Sequence, residues 1–340
     1  MNQTAQTRKN LFWLALVGLL ALLPAVPAVT ANSFLMHVLI LILLYAGMAQ
    51  AWNIIGGYGG QTSFGHAVFF GIGAYGAGMA VVTYGLSPWP GVIIGMLAAA
   101  VVAVLISYPC FKLSGHYFAI ATFAIVEIFN RVFLVWYWVG GALGLDYPIV
   151  EEGLKNLMWY DTKTGYYYCA LFLFALIFGI VRLIESHRFG YYLRAVRAGQ
   201  ETAESLGVNS TAVKLGAMAL SAALAALCGA FFVQYNLRVD PGMVMSLDMS
   251  MKFVLVTILG GAGTLAGPLL GAAVLVPLQE YTRALWGGLG GGVDLIIFGF
   301  LIIVIVVKQP AGITGIAREM ARRFGRKPSA EKGGASLGAA

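Results

Sequence analysis

Three groups of residues in this chain have types and spacings that could do chemistry. Gly71, Gly73 and Gly76 spell GxGxxG, the spacing of a loop that cradles a dinucleotide pyrophosphate. Gln50, Asn53, Gln61, Ser63 and His66 form a polar cluster around the glycines Gly56, Gly57 and Gly59, within a largely apolar stretch. Such side chains either line a path for a polar solute or bond neighbouring helices, because a polar group among apolar surroundings is costly without a partner or water. Arg194, Arg197 and Glu201 lie in a polar, helix-favouring stretch at about 186–210. The two arginines are three residues apart and share one helix face.

The nucleotide reading fails on context. A dinucleotide fingerprint needs a preceding strand, a following helix and an acid about 20 residues further on. The first acidic residue of the chain is Glu127, far beyond that distance. There is no G-x-x-x-x-G-K-[ST] and no Gly-Lys pair anywhere, so the chain is expected to bind no ATP of its own. No Cys/His cluster has metal-ligand spacing, and no paired carboxylates or nucleophile constellation point to an enzyme. Cys110, Cys169 and Cys228 are odd in number and lie in or at the edge of apolar segments, which argues against a disulfide framework.

The elements that must position these groups follow from composition. Apolar residues make up 60% of the chain and charged residues 10%, against about 25% charged in soluble domains. Apolar runs of membrane-crossing length recur. The expected fold is an all-α polytopic membrane protein with about ten full or partial spans: 11–29, 34–55, 64–84, 90–108, 116–137, 166–184, 212–235, 250–262, 265–286 and 293–308. One transmembrane domain covers 1–316. A basic, then Gly/Ala-rich tail covers 317–340 and is expected to be disordered. The N-terminus has signal-peptide character but reads as an uncleaved first span.

With both termini cytoplasmic, the inner segments hold fifteen of the 21 basic residues, as the positive-inside rule requires. The net charge of +7 then reflects cytoplasmic loops and not a nucleic-acid partner. On this topology "IIGGYG" at 54–59 and "ILGGAG" at 258–263 both fall at the inner side. Either they echo an internal repeat, as in many transporters, or they match by chance in a Gly-rich chain. Glycine permits close helix packing and broken helices that face a cavity. Gly71 to Gly78 suits the first role. Gly56 to Gly60, with the late glycines Gly260, Gly261 and Gly263, suits the second.

Some charged groups read as local. Glu127 and Arg131 are four apart and can pair near the outer end of a span. His66 and His116 read as hydrogen-bonded helix residues. Asp248, Glu280, Arg283 and Asp294 fall near segment ends and are given no role.

The polar stretch contains "ETAESLG", in which Glu201, Ala203 and Gly207 occupy E-x-A-x-x-x-G. This is the spacing of the coupling loop of ABC-importer permeases. Over about 35–316 the chain resembles the LivM-type permeases of branched-chain amino-acid ABC importers. The resemblance rests on four ordered blocks: "AQAWNIIGGYGGQTSFGHAVFFGIGAY", "SGHYFAIATFAIVEI", "RFGYYLRAVRAGQETAESLGV" and "VLVTILGGAGTLAGPLLGA". Departures are Ala198, Gly199 and Gln200 where acids are common, Thr202 for the second alanine, and "KQPAG" near the C-terminus. They bear on the details of ATPase contact.

The resemblance implies a permease subunit in a bacterial inner membrane. Its implied partners are a second related permease, two cytoplasmic ATPases that hold ATP and magnesium, and an extracytoplasmic binding protein. One helix over 188–208, stopping at Gly207, would dock on an ATPase. Arg194 and Arg197 would meet acids there, or anionic lipid headgroups and water. Gln50, Asn53, Gln61, Ser63, His66 and Glu127 are the expected substrate path. The expected substrate is a branched-chain or other hydrophobic amino acid. Urea or a short amide is the alternative within the class. An ion-coupled carrier is the alternative outside it, but would usually place several acids in midmembrane.

Overall fold

The computed structural model describes residues 18, 20–113, 115–159, 162–286, 296, 299–300, 303–304 and 312–315. The helices are α1 (Ser33–Asn53), α2 (His66–Val82), α3 (Pro88–Cys110), α4 (His116–Val135), α5 (Thr164–Ser186), α6 (Arg188–Ala198), α7 (Gln200–Ser205), α8 (Ser210–Asn236), α9 (Pro241–Val244), α10 (Leu247–Gly260) and α11 (Gly267–Trp286). Among the described residues six helical stretches are long and apolar enough to cross a membrane, and α2 is a shorter apolar helix. Eight of the expected segments appear as helices within a few residues of their anticipated bounds. The expected span 293–308, the tail 317–340 and Asp294 lie largely or wholly outside the described residues. So does most of 11–29, whose described part includes single turns at Leu23–Ala25 and Pro27–Thr30.

α1 and α8 form the centre. α1 packs against α5, α8, α10 and α11, and α8 packs against α2 and α3. Both are apolar on nearly all faces, which suits a helix surrounded by helices. α3 and α4 sit at the periphery and expose Ile94, Leu97, Leu105, Ile120 and Ile128, a surface compatible with lipid.

The GxGxxG is a packing seam. A Cβ on Gly73 would lie 2.0 Å from the Ala226 carbonyl oxygen of α8, and one on Gly76 would lie 2.8 Å from that of Gly91 in α3. Only hydrogen side chains let these three backbones approach so closely, the usual device for helix association without a hydrophobic driving force.

The segment between α4 and α5 is partly ordered by pairing. Strand β1 (Leu145–Asp146) runs antiparallel to β2 (Arg238–Val239), just after α8. Arg238 meets Asp146 at 3.2 Å, and Trp89 Nε1 donates to the Leu154 carbonyl at 3.0 Å. The three cysteines are free.

Candidate functional site

The polar stretch folds as two helices and not one. α6 ends at Ala198, Gly199 is extended, and α7 begins at Gln200. The run Ala198-Gly199 interrupts the helix, so the anticipated single helix over 188–208 is corrected to a helix–break–helix. The stop at Gly207 is as anticipated. Gly207 has φ +84, its N–H donates to Glu204 O, and the Val208 N–H donates to Ala203 O. These two bonds make a Schellman ending, which needs a left-handed residue that glycine supplies without strain.

At the end of α1 the helix widens into a π-helical turn, Ile54–Tyr58, then the chain runs without regular structure to α2. A break inside a membrane protein must satisfy the freed backbone groups from within. Here side chains from three other elements, and Ser63 of the break itself, do so. Phe64 N–H donates to Thr122 Oγ1 of α4 at 3.0 Å, and Ala67 N–H donates to Ser250 Oγ of α10 at 3.1 Å. Gly65 N–H donates to Ser63 Oγ at 3.2 Å, and Trp52 Nε1 of α1 donates to Ser63 O at 2.7 Å.

The late glycines form the matching break between α10 and α11, and the two breaks touch. Asn53 bridges them: its Oδ1 accepts from Gly263 N–H at 2.7 Å and its Nδ2 donates to Thr264 O at 3.0 Å. Thr264 Oγ1 donates to Gly261 O at 2.7 Å and accepts from Gly267 N–H at 3.1 Å. The two glycine segments that echo each other in sequence are therefore neighbours in space.

Arg197 of α6 completes the junction. Its Nη1 donates to the Gly57 carbonyl oxygen. A Cβ on Gly263, where φ is +78, would lie 2.5 Å from Arg197 Nη1, and one on Gly60 would lie 2.7 Å from Arg197 Cγ. The guanidinium thus sits against both breaks, at the carbonyl end of α1 and its π turn, where a helix carries partial negative charge. A hydrogen bond to a charged group is worth roughly 1.5–3 kcal/mol. Arg194, on the same helix, is tied locally: Nη2 donates to Glu185 O at 2.8 Å, and the guanidinium lies over the Tyr191 ring.

α7 is joined to the bundle by Glu204 and Gln200. Glu204 Oε1 accepts from Ser210 Oγ of α8 and from Gln200 Nε2. These bonds, and the nearby Lys214 ammonium, hold the carboxyl below its ordinary range despite a small opposing desolvation effect, so it stays ionised at neutral pH. Lys214 Nζ donates to Gln200 Oε1 at 2.5 Å and lies over the Phe111 ring at the end of α3. Ala203 is buried, whereas Glu201 and Leu206 are exposed. Sequence reading singled out Glu201, noted Gln200 only as a departure from the family pattern, and passed over Glu204 and Thr264. The polar residue directly after the last glycine of "GGAGT" was the available signal for Thr264.

The remaining expected residues separate. Gln50, Asn53, Ser63 and His66 are buried, and Gln61 is half-buried. Ser221 Oγ donates to Ala51 O at 2.6 Å and so accepts from His66 Nε2 at 2.8 Å. Gln50 Nε2 reaches Leu265 O at 3.5 Å. These contacts join α1, α2, α8 and the late glycine segment. Gly56, Gly59 and Gly260 sit where a Cβ would strike Trp52, Ile55 O and Gly267 O respectively. Glu127 stands apart on α4, paired with Arg131 at 2.8 Å and partly exposed. His116 is exposed at the start of α4.

Residues 34–306 match the family described as "Branched-chain amino acid transport system / permease component". The chain belongs to this family. It is 26% identical over 328 residues to the high-affinity branched-chain amino acid transport system permease protein LivM of Escherichia coli (strain K12), covering 90% of this chain and 75% of that one. It is 24% identical over 237 residues to a probable branched-chain amino acid transport permease LivM of Methanocaldococcus jannaschii, covering 65% and 66%. A fructose import permease, FruF of Bifidobacterium longum, is 26% identical over 187 residues, about half of each chain. No solved structure matches.

Proposed function

We propose that this permease-family chain is the membrane subunit of an ATP-binding-cassette importer for branched-chain or other hydrophobic amino acids. The family match supports the class. The observation that carries the mechanism is the Arg197 contact with Gly57, which lies against Gly263. Through it, any displacement of the α6–α7 loop acts directly on both broken segments. In this reading the loop is cytoplasmic and both termini lie on that side. Separate ATPases close on ATP and push the exposed surface of α7. Arg197 then shifts the two breaks together, and the bundle alternates access between its sides. ATP and magnesium are held by the ATPases. A second permease subunit completes the path and an extracytoplasmic protein delivers the substrate.

The test is purification of the tagged chain from its host in mild detergent, then reconstitution of what comes with it. Expected are two P-loop ATPases, a related permease, and uptake of labelled leucine that needs ATP and the binding protein. Uptake of urea or acetamide in place of leucine would move the substrate. Transport by the chain alone, driven by an ion gradient, would remove the class.

Glu201 gives a second test. Its carboxylate is exposed on α7, so charge reversal should spare folding. Glu201→Lys is expected to insert and assemble normally yet lose most uptake. Uptake at the parent rate would end the role given to this residue.

A further inference from the structure

At the end of the bundle away from Arg197 lies a cavity of about 380 Å³ between α1, α8, α10 and α11, within the size range of small-molecule pockets, roughly 300–1,000 Å³. It gathers three residues near segment ends to which the sequence assigned no role, Asp248, Glu280 and Arg283, and adds Lys252 and His37. Lys252 Nζ meets Asp248 Oδ2 at 2.8 Å on α10, and Arg283 Nη1 meets Glu280 Oε1 at 3.4 Å on α11. His37 of α1 holds its Nε2 3.9 Å from Glu280 Oε2 and its Nδ1 2.5 Å from the Tyr235 hydroxyl. The burial within each pair is unequal. The side chains of Lys252 and Glu280 are 13% and 11% exposed, while those of Asp248 and Arg283 are 56% and 57% exposed.

A buried charge needs a partner. Here Lys252 pairs with Asp248 and Glu280 with Arg283, both half-exposed side chains that solvent can also satisfy, while the His37 imidazole lies beside Glu280 at 3.9 Å. One buried cation and one buried anion therefore face the same cavity from different helices, each with an exchangeable counter-charge. Leu41, Phe232 and Met249 supply apolar wall beside them.

We propose that this cavity is a binding site for a zwitterionic α-amino acid with an apolar side chain. Its carboxylate replaces Asp248 at Lys252, its ammonium replaces Arg283 at Glu280, and its side chain lies on the apolar wall. The proposal rests on the amino-acid reading above and sharpens it: the charge pattern matches a solute carrying both signs and gives a neutral sugar or amide no counterpart for either buried charge.

The test is equilibrium binding of tritiated L-leucine to the purified full-length chain in nanodiscs. Saturable binding is expected. Fructose, 4-methylpentanoate (the carboxylate alone) and isopentylamine (the ammonium alone) should compete poorly. Lys252→Gln and Glu280→Gln should each weaken leucine binding by roughly tenfold or more, as loss of one member of a buried charge pair does. Met243→Cys keeps every charge while lining the cavity. Leucine should protect it from a hydrophilic maleimide, which tests the site even where a charge variant fails to fold. No saturable binding, equal competition by isopentylamine, or labelling of Met243→Cys indifferent to leucine would overturn the proposal. If the reconstituted assembly still imports leucine in that case, the cavity assignment falls and the importer reading stands. Failure of leucine uptake and leucine binding together would remove both.

Discussion

Arg197→Ala is expected to abolish most ATP-driven uptake while leaving the assembly intact and its ATPases turning over. The variant removes the charged donor from the Gly57 carbonyl and the side chain that fills the space against Gly60 and Gly263. It leaves α7 attached through Glu204, Ser210, Gln200 and Lys214, so the docking surface persists without its link to the breaks. Coupling between sites is typically worth about 1–3 kcal/mol, or roughly 5–150-fold, and uptake should fall within that range. Arg197→Lys should recover only part of it, because a single ammonium lacks the planar fork of a guanidinium. The check is simultaneous measurement of uptake and ATP hydrolysis in proteoliposomes. Uptake and hydrolysis falling in proportion would mean that Arg197 serves assembly, not coupling.

The second large effect belongs to Gly57→Ala. The added methyl would fall 1.8 Å from Asn53 Oδ1 and 2.5 Å from Gly263 N. The latter is backbone and cannot rotate away. Asn53 would have to leave Gly263 and Thr264, opening the bridge between the breaks. Overpacking alone costs about 1–3 kcal/mol, and each buried polar group left unsatisfied costs about as much again. A clear drop in melting temperature in detergent and loss of uptake are expected. Gly179→Ala in α5 is the matched control. It has nothing within 4 Å of its Cβ, and alanine in a helix is favoured by roughly 0.5–1 kcal/mol over glycine. A Gly57→Ala protein as stable as that control, and fully active, would refute the close-contact junction.

How much of this was legible before the structure differs by element. The helices were readable because membrane helices are long and apolar: eight were placed to within a few residues, and six helical stretches among the described residues are long and apolar enough to cross a membrane. The glycine-rich block was correctly divided into a seam and a break, since Gln61, Thr62 and Ser63 follow the break and apolar residues flank the seam. The four residues around Ser63 could not be assigned between path and packing. Which hydrogen bond a buried polar side chain makes depends on a helix far away in sequence, as His66 with Ser221 shows. Arg197 was read, with Arg194, on a helix face that meets an ATPase, lipid or water; its internal partner, the backbone carbonyl of Gly57, has no side-chain signature. Asp248, Glu280 and Arg283 read as ordinary segment-end groups, and Lys252 drew no reading at all. Only the packing of α10 against α11 brings them round one cavity.

The central claim is that α7 receives the motion of a separate ATPase. Leu206, directly after α7, is 80% exposed, and its aliphatic side chain can take no part in the hydrogen bonds of Glu204 or Arg197. A photoreactive benzoylphenylalanine at this position, irradiated in native membranes and followed by mass spectrometry of the adduct, tests the claim most directly. A cross-link to a P-loop ATPase, changed in yield by ATP and a trapped transition-state analogue, is the predicted result. A fully active Leu206 variant that forms adducts only with lipid, under all nucleotide conditions, would contradict the account.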